Sequence, residues 1–121
     1  MKSLKKTINI DMYGCKLELI VTKDIQAEVC RLLKKAGLPD EFDGGAEGMM
    51  LSFIMEYYYL IIDEKYLTHN TLAHEIYHAV VRITEDRNIT DEETQAWLAG
   101  HITEFVYKFI ESKKLVITHG K

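Results

Sequence analysis

The chain has 121 residues, a length that predicts a single domain spanning residues 1–121. Hydrophobic residues make up 47% and charged residues 28%, as in a soluble globular protein, and the net charge of −4 argues against a nucleic-acid partner. No segment is apolar enough to cross a bilayer, and none resembles a secretion signal. We therefore expect a cytoplasmic protein without a membrane partner.

The N-terminal third predicts a β-hairpin followed by a helix. Residues 7–11 and 16–22 favour strands because they are rich in β-branched residues, and Tyr13-Gly14 between them is suited to a tight turn. Residues 24–36 carry apolar side chains at helical spacing, and Gly37 stands where a helix commonly ends.

The middle of the chain predicts a loop and a second strand-forming region. Residues 38–48 contain the only proline and several glycines, which favours a loop. Residues 49–55 and 57–63 are strand-like, and the pattern allows either a second hairpin or one long bent strand.

Two helices are predicted in the C-terminal half. The first spans residues 71–85, with Thr68 or Asn70 as its N-cap. After a short connection, residues 91–113 form the longest helix, in which Thr90 and Glu93 match a capping box. Residues 115–121 are predicted to be a short strand or a tail. Strands followed by helices indicate an α+β domain, with a small antiparallel or mixed sheet and an N-terminal helix.

The strongest chemical signal is the segment His74-Glu75-Ile76-Tyr77-His78. Histidines four residues apart lie about 40° apart around a helix axis, so both imidazoles can reach one metal ion. Glu75 points in a different direction and can contact a metal-bound water without binding the metal, as in zinc peptidases of the HExxH type. The competing interpretation is a helix with two ordinary histidines. The otherwise apolar helix favours the metal site, because histidines there need polar partners.

A catalytic zinc site needs a third protein ligand, and the acidic run Asp91-Glu92-Glu93 begins the next helix. Acidic residues at this position also stabilise a helix N-terminus, so capping explains part of the run. The core stripe of this helix is formed by four apolar residues at helical spacing: Leu98, Ile102, Phe105 and Phe109. Periodicity places Glu92 at the edge of that stripe and Glu93 nearly opposite, on a face with Ala96 and Gly100 where another helix can approach closely. Periodicity alone therefore favours Glu92, while the second face keeps Glu93 open as a ligand.

The HExxH segment followed by Glu93-Thr94-Gln95-Ala96-Trp97-Leu98-Ala99-Gly100 resembles the gluzincin zinc peptidases. It is most similar to small phage- or prophage-encoded zinc-peptidase-like proteins, with Trp97 where those carry tyrosine, and more distantly to the ImmA/IrrE metallopeptidases. The strong part of the likeness covers residues 71–103. ImmA/IrrE proteins usually have glycine where this chain has Tyr77, which argues against transferring their repressor-cleaving role.

The resemblance implies a minimal zincin-like domain that binds Zn²⁺ through His74, His78 and Glu93, with Glu75 as general base. It also implies a peptide or protein substrate. In such enzymes the substrate pairs with an edge strand that precedes the metal helix, and in this chain that strand would come from residues 49–63. Tyr77 and His101 are further candidates, either to contact the substrate or to support a metal ligand. The simpler interpretation is that both are surface residues. The alternative function is a catalytically inactive, metal-stabilised binding or structural module.

Overall fold

The computed structural model describes residues 3–40, 42 and 46–118, which form a four-stranded sheet with three α-helices. In chain order the elements are β1 (Leu4–Ile10), β2 (Cys15–Thr22), α1 (Ile25–Lys35), β3 (Gly48–Ile54), β4 (Tyr57–Asp63), α2 (His69–Asp86) and α3 (Glu92–Ser112). This arrangement confirms the predicted α+β class, with an N-terminal helix, a helix that carries the HExxH segment and a long C-terminal helix.

The sheet is mixed, with the strand order β1-β2-β4-β3. The outer pairs are antiparallel hairpins, whereas β2 and β4 run parallel at the centre. The first hairpin was predicted, and of the two alternatives left open for residues 49–63 the hairpin is the one that forms. Gly14 ends the first turn at φ 65°, a conformation that glycine adopts without strain. Among the described strands, β3 lies at one edge of the sheet.

Helices cover both faces of the sheet because its strands alternate their side chains. On one face, α1 packs Val29 and Leu32 against Ile20 and Ile61. On the other face, α2 and α3 pack against the remaining buried positions of β2 and β4, which include Leu17, Leu19, Val21, Tyr58, Leu60 and Ile62. The α2 helix therefore lies directly on the sheet, beside β3 and β4.

Both C-terminal helices begin at side-chain caps. Thr68 caps α2, as one of the two predicted candidates, by accepting a hydrogen bond from the Thr71 amide. The capping box predicted for α3 was wrong, because its N-cap is Asp91 and not Thr90. The Asp91 carboxylate accepts from both the amide and the hydroxyl of Thr94, so it satisfies the first turn without Glu93.

The core stripe predicted for α3 is largely confirmed, since Leu98, Ile102 and Phe109 are buried. Val106 and Ile110 join them. The opposite face differs from its prediction, because a Cβ added at Gly100 would meet no atom within 4 Å. Another helix does not approach α3 closely at that position.

Arg87, at the C-terminal end of α2, connects this helix to both hairpin turns. Its guanidinium donates to the backbone oxygens of Tyr13 and Met55, which lie in the two turns, and to Ile83 in α2. It also donates to the hydroxyl of Tyr58, which in turn donates to Asp86. Burial and the Asp86 carboxylate raise the pKa of Tyr58 to about 12, so its hydroxyl stays protonated.

The segment after α3 returns to the start of α2. The Thr118 amide donates to the carbonyl of Leu67 at 2.9 Å, and Thr118 forms a single parallel bridge with Thr68. The predicted C-terminal strand is thus limited to one bridge within the described residues, and residues 119–121 lie outside them. None of the helices described is both long and apolar enough to cross a membrane.

Candidate metal centre

The two motif histidines lie on the exposed side of α2. This helix buries the side chains that face the sheet, including Leu72, Ile76, Ala79 and Ile83, because they recur at helical spacing. His74 and His78 fall outside that stripe and are exposed to solvent.

The imidazoles of His74 and His78 converge on one point. Their Nε2 atoms are 3.1 Å apart, and the rings meet edge to face with their centroids 4.6 Å apart. Two nitrogen ligands at ordinary zinc distances on a tetrahedral ion lie about 3.3 Å from each other. The two nitrogens are within hydrogen-bonding distance of each other, and their separation is also close to that of two ligands of one zinc ion.

Glu75 differs from both histidines because its side chain is buried, with the residue only 6% exposed. Its Oε2 lies 3.9 Å from Nε2 of His74, too far for a hydrogen bond but close enough for a shared water. Burial raises the pKa of the Glu75 carboxyl, and the two nearby histidines oppose that shift. The arrangement places a carboxyl group with raised proton affinity beside the histidine pair.

A cleft of about 500 Å³ lies between α2 and the edge strand β3, and all three motif side chains line it. Gly48 and Met50 form its strand side, while Arg82 and Glu85 extend it along the helix. Arg82 donates to the Ser52 carbonyl at 3.4 Å, which connects the helix to the strand. Sequence reasoning missed Gly48, Arg82 and Glu85. Arg82 and Glu85 lie four and seven residues after His78, so helical spacing could have indicated that they share its side of the helix.

Neither candidate for the third ligand lies in this cleft. Glu93 is exposed in the first turn of α3, and Glu92 lines a separate groove between α2 and α3. Among residues 3–40, 42 and 46–118, His74 and His78 do not form a group of three histidine, cysteine or acidic residues that could hold a metal ion. Glu93 as a ligand stays a prediction.

The two further candidates also lie outside the cleft. Tyr77 is 66% exposed and lines the groove towards α3, with its ring centroid 6.4 Å from that of His78. His101 stacks on Trp97 of its own helix, with the centroids 5.0 Å apart. The positions of Tyr77 and His101 therefore agree with the simpler interpretation of both as surface residues.

The groove between α2 and α3 has a volume of about 640 Å³ and a mostly apolar lining. Ile76, Val80 and Ala99 contribute to it, and the charged residues in its lining are Glu85 and Glu92. Ala96 lines this groove and is exposed, so the close approach of another helix that was predicted for its face is not observed at Ala96.

Comparison with protein-family models, curated proteins and solved structures found no significant match to this chain. The resemblance to gluzincins therefore stays an expectation from the residues of the motif.

Proposed function

We propose that this protein is a zincin-like metallopeptidase that hydrolyses peptide bonds with a zinc-activated water. The observation that carries the proposal is the convergence of the His74 and His78 Nε2 atoms at 3.1 Å, beside the buried carboxyl of Glu75. The same separation also suits a hydrogen bond between the two rings, and the buried acid beside them is what favours a metal site. We further propose that it acts in the cytoplasm.

The histidine pair fits a zinc ion in both ligand chemistry and spacing, and Glu93 is the proposed third ligand. When bound, zinc would lower the pKa of a coordinated water to about 7 and polarise the substrate carbonyl. Glu75 would accept a proton from that water and pass it to the leaving amine. Its burial suits the first of these steps, because a carboxyl with a raised pKa accepts a proton more readily than an exposed one.

The proposed substrate is a peptide in an extended conformation. The edge strand β3 borders the cleft, and its outer backbone groups are not paired with another described strand. An extended peptide can add to such an edge through main-chain hydrogen bonds, which would bring one of its carbonyls to the histidine pair. The sequence also suggests Gly44-Gly45 as part of a lid, and these two residues lie outside the part of the chain that the structure describes.

Metal analysis of the purified protein tests the proposal. We expect about one zinc per wild-type chain and a sharp loss in His74→Ala, because a single imidazole cannot hold the ion. His101→Ala is the matched control and should keep its zinc, since that ring stacks on Trp97. Wild-type protein that binds no zinc when purified without chelators and then supplied with zinc would exclude the proposed function.

The second candidate function is a metal-stabilised binding module, and the apolar groove between α2 and α3 favours it. The variant Glu75→Gln separates the two functions, because it keeps the shape of the side chain and removes its ability to accept a proton. Zinc content should be unchanged in both cases. Peptidase turnover should fall by at least 100-fold if the protein is an enzyme, as expected for loss of a general base. A biological activity that survives the change would favour the binding module.

A further inference from the structure

Gly48, the first residue of β3, lies directly against the side chain of Glu75. A Cβ added at position 48 would stand 2.8 Å from Cγ and 3.3 Å from Cδ of Glu75, and 3.1 Å from Cδ1 of Ile62. The first of these distances is shorter than atoms tolerate. Any side chain at position 48 would therefore force Glu75 or the edge strand to move.

The backbone conformation of Gly48 gives no other reason for glycine. The positive-φ glycines of the described chain are Gly14 and Gly37, so Gly48 has a conformation that other residues can adopt. Glycine also weakens a strand, because it has no side chain to pack and loses more entropy on folding. Close approach of neighbouring side chains, Glu75 nearest and Ile62 next, is the physical reason that remains.

We propose that Gly48 is a positioning residue: the missing side chain at this position lets the Glu75 carboxyl lie in the cleft beside His74. This inference rests on the proposed peptidase function, in which Glu75 exchanges protons with the attacking water. Glu75 projects from the buried side of α2, where helical rotamers leave few alternatives. An added methyl group would displace its carboxyl, and displacement by about 1 Å can reduce a rate about 100-fold.

A double-mutant cycle tests the contact without requiring activity. Gly48→Ala should lower the urea midpoint of unfolding, and should lower it much less in the Glu75→Ala background, where Cγ and Cδ are absent. Ile62→Val removes the other close atom, Cδ1, and should relieve less of the loss. Gly100→Ala is the matched control, because its added Cβ meets no atom within 4 Å and should not lower the midpoint. Equal losses in the presence and absence of the Glu75 side chain would overturn the proposal.

Kinetics with fluorescein-labelled casein as the probe test the positioning role. Gly48→Ala should keep its zinc and its KM while kcat falls about 100-fold, whereas Gly100→Ala should keep both constants. An active wild-type protein whose Gly48→Ala variant keeps its kcat would overturn the positioning role. If wild-type protein binds zinc but cleaves nothing, the proposed function fails, while the double-mutant cycle still decides whether Gly48 sets the position of Glu75.

Discussion

At the scale of single residues, the candidate centre combines exposed and buried side chains within about one turn of α2. His74 and His78 are exposed and reach the cleft from the helix surface, whereas Glu75 is buried towards β3. The spacing of the motif predicted that both imidazoles could reach one ion. It did not predict that the glutamate would be covered by Gly48, because that contact joins residues far apart in sequence.

The third ligand gives a prediction at the residue scale. Under the proposed function, Glu93→Ala should weaken zinc binding by more than about 100-fold, because loss of a group that merely supports a ligand already costs about 10–100-fold. Glu92→Ala should keep its zinc affinity and lose only the contribution of an acidic side chain at a helix N-terminus, about 0.3–1 kcal/mol of stability. Titration of both variants with zinc against a competing chelator measures the difference.

Two other outcomes of that titration would change the assignment. If Glu92→Ala loses its zinc and Glu93→Ala does not, the third ligand is Glu92, which lines the groove between α2 and α3. Unchanged affinity in both variants would mean that the third position is filled by another group.

At the scale of elements, the centre is assembled by the packing of α2 beside the edge hairpin. The cleft exists because α2 lies across β3 and β4, with Gly48 and Met50 facing the helix. The hairpin and the helix were both predicted, but their contact was not. Alternation within β3 shows which residues share a face, and only the tertiary structure shows which face the motif helix covers.

Arg87 gives a prediction at the element scale. Arg87→Lys should reduce the free energy of unfolding by about 1.5–3 kcal/mol, since a lysine cannot replace the separate hydrogen bonds that the guanidinium donates to Tyr13, Met55 and Tyr58. The matched control is Arg82→Lys, whose exposed arginine lies 3.9 Å from Asp86 and should cost less than about 1 kcal/mol. Urea unfolding followed by circular dichroism measures both. Equal, small losses would show that Arg87 does not hold the turns together.

At the scale of the whole molecule, one mixed sheet separates two apolar clusters, and the candidate centre lies at the sheet edge. The parallel pairing of β2 with β4 places the second hairpin beside the first and leaves β3 at the outside. This pairing was not predicted, because hydrophobic alternation defines the faces of a strand but does not choose its neighbours. The edge position of β3 is what makes strand addition by a peptide feasible in the proposed function.

The amino-acid sequence by itself determined the elements and the candidate chemistry. Helical periodicity and turn residues located the three helices and both hairpins, since these depend on contacts between near neighbours in the chain. The spacing of His74 and His78 also predicted, for the same reason, that their imidazoles lie close together, and a metal ion held between them stays a prediction. The cap of α3 shows the limit even of local reasoning, because Thr90 and Asp91 both suit a cap and the helix begins after the second.

Only the tertiary structure decided what surrounds the motif. It placed Gly48 against Glu75, placed the histidine pair in a cleft with the edge strand, and left Glu93 exposed at the start of α3. Each of these facts depends on how a helix is rotated and which strand it covers. Such choices are made by the packing of the whole core, in which no single residue pattern specifies its distant partner.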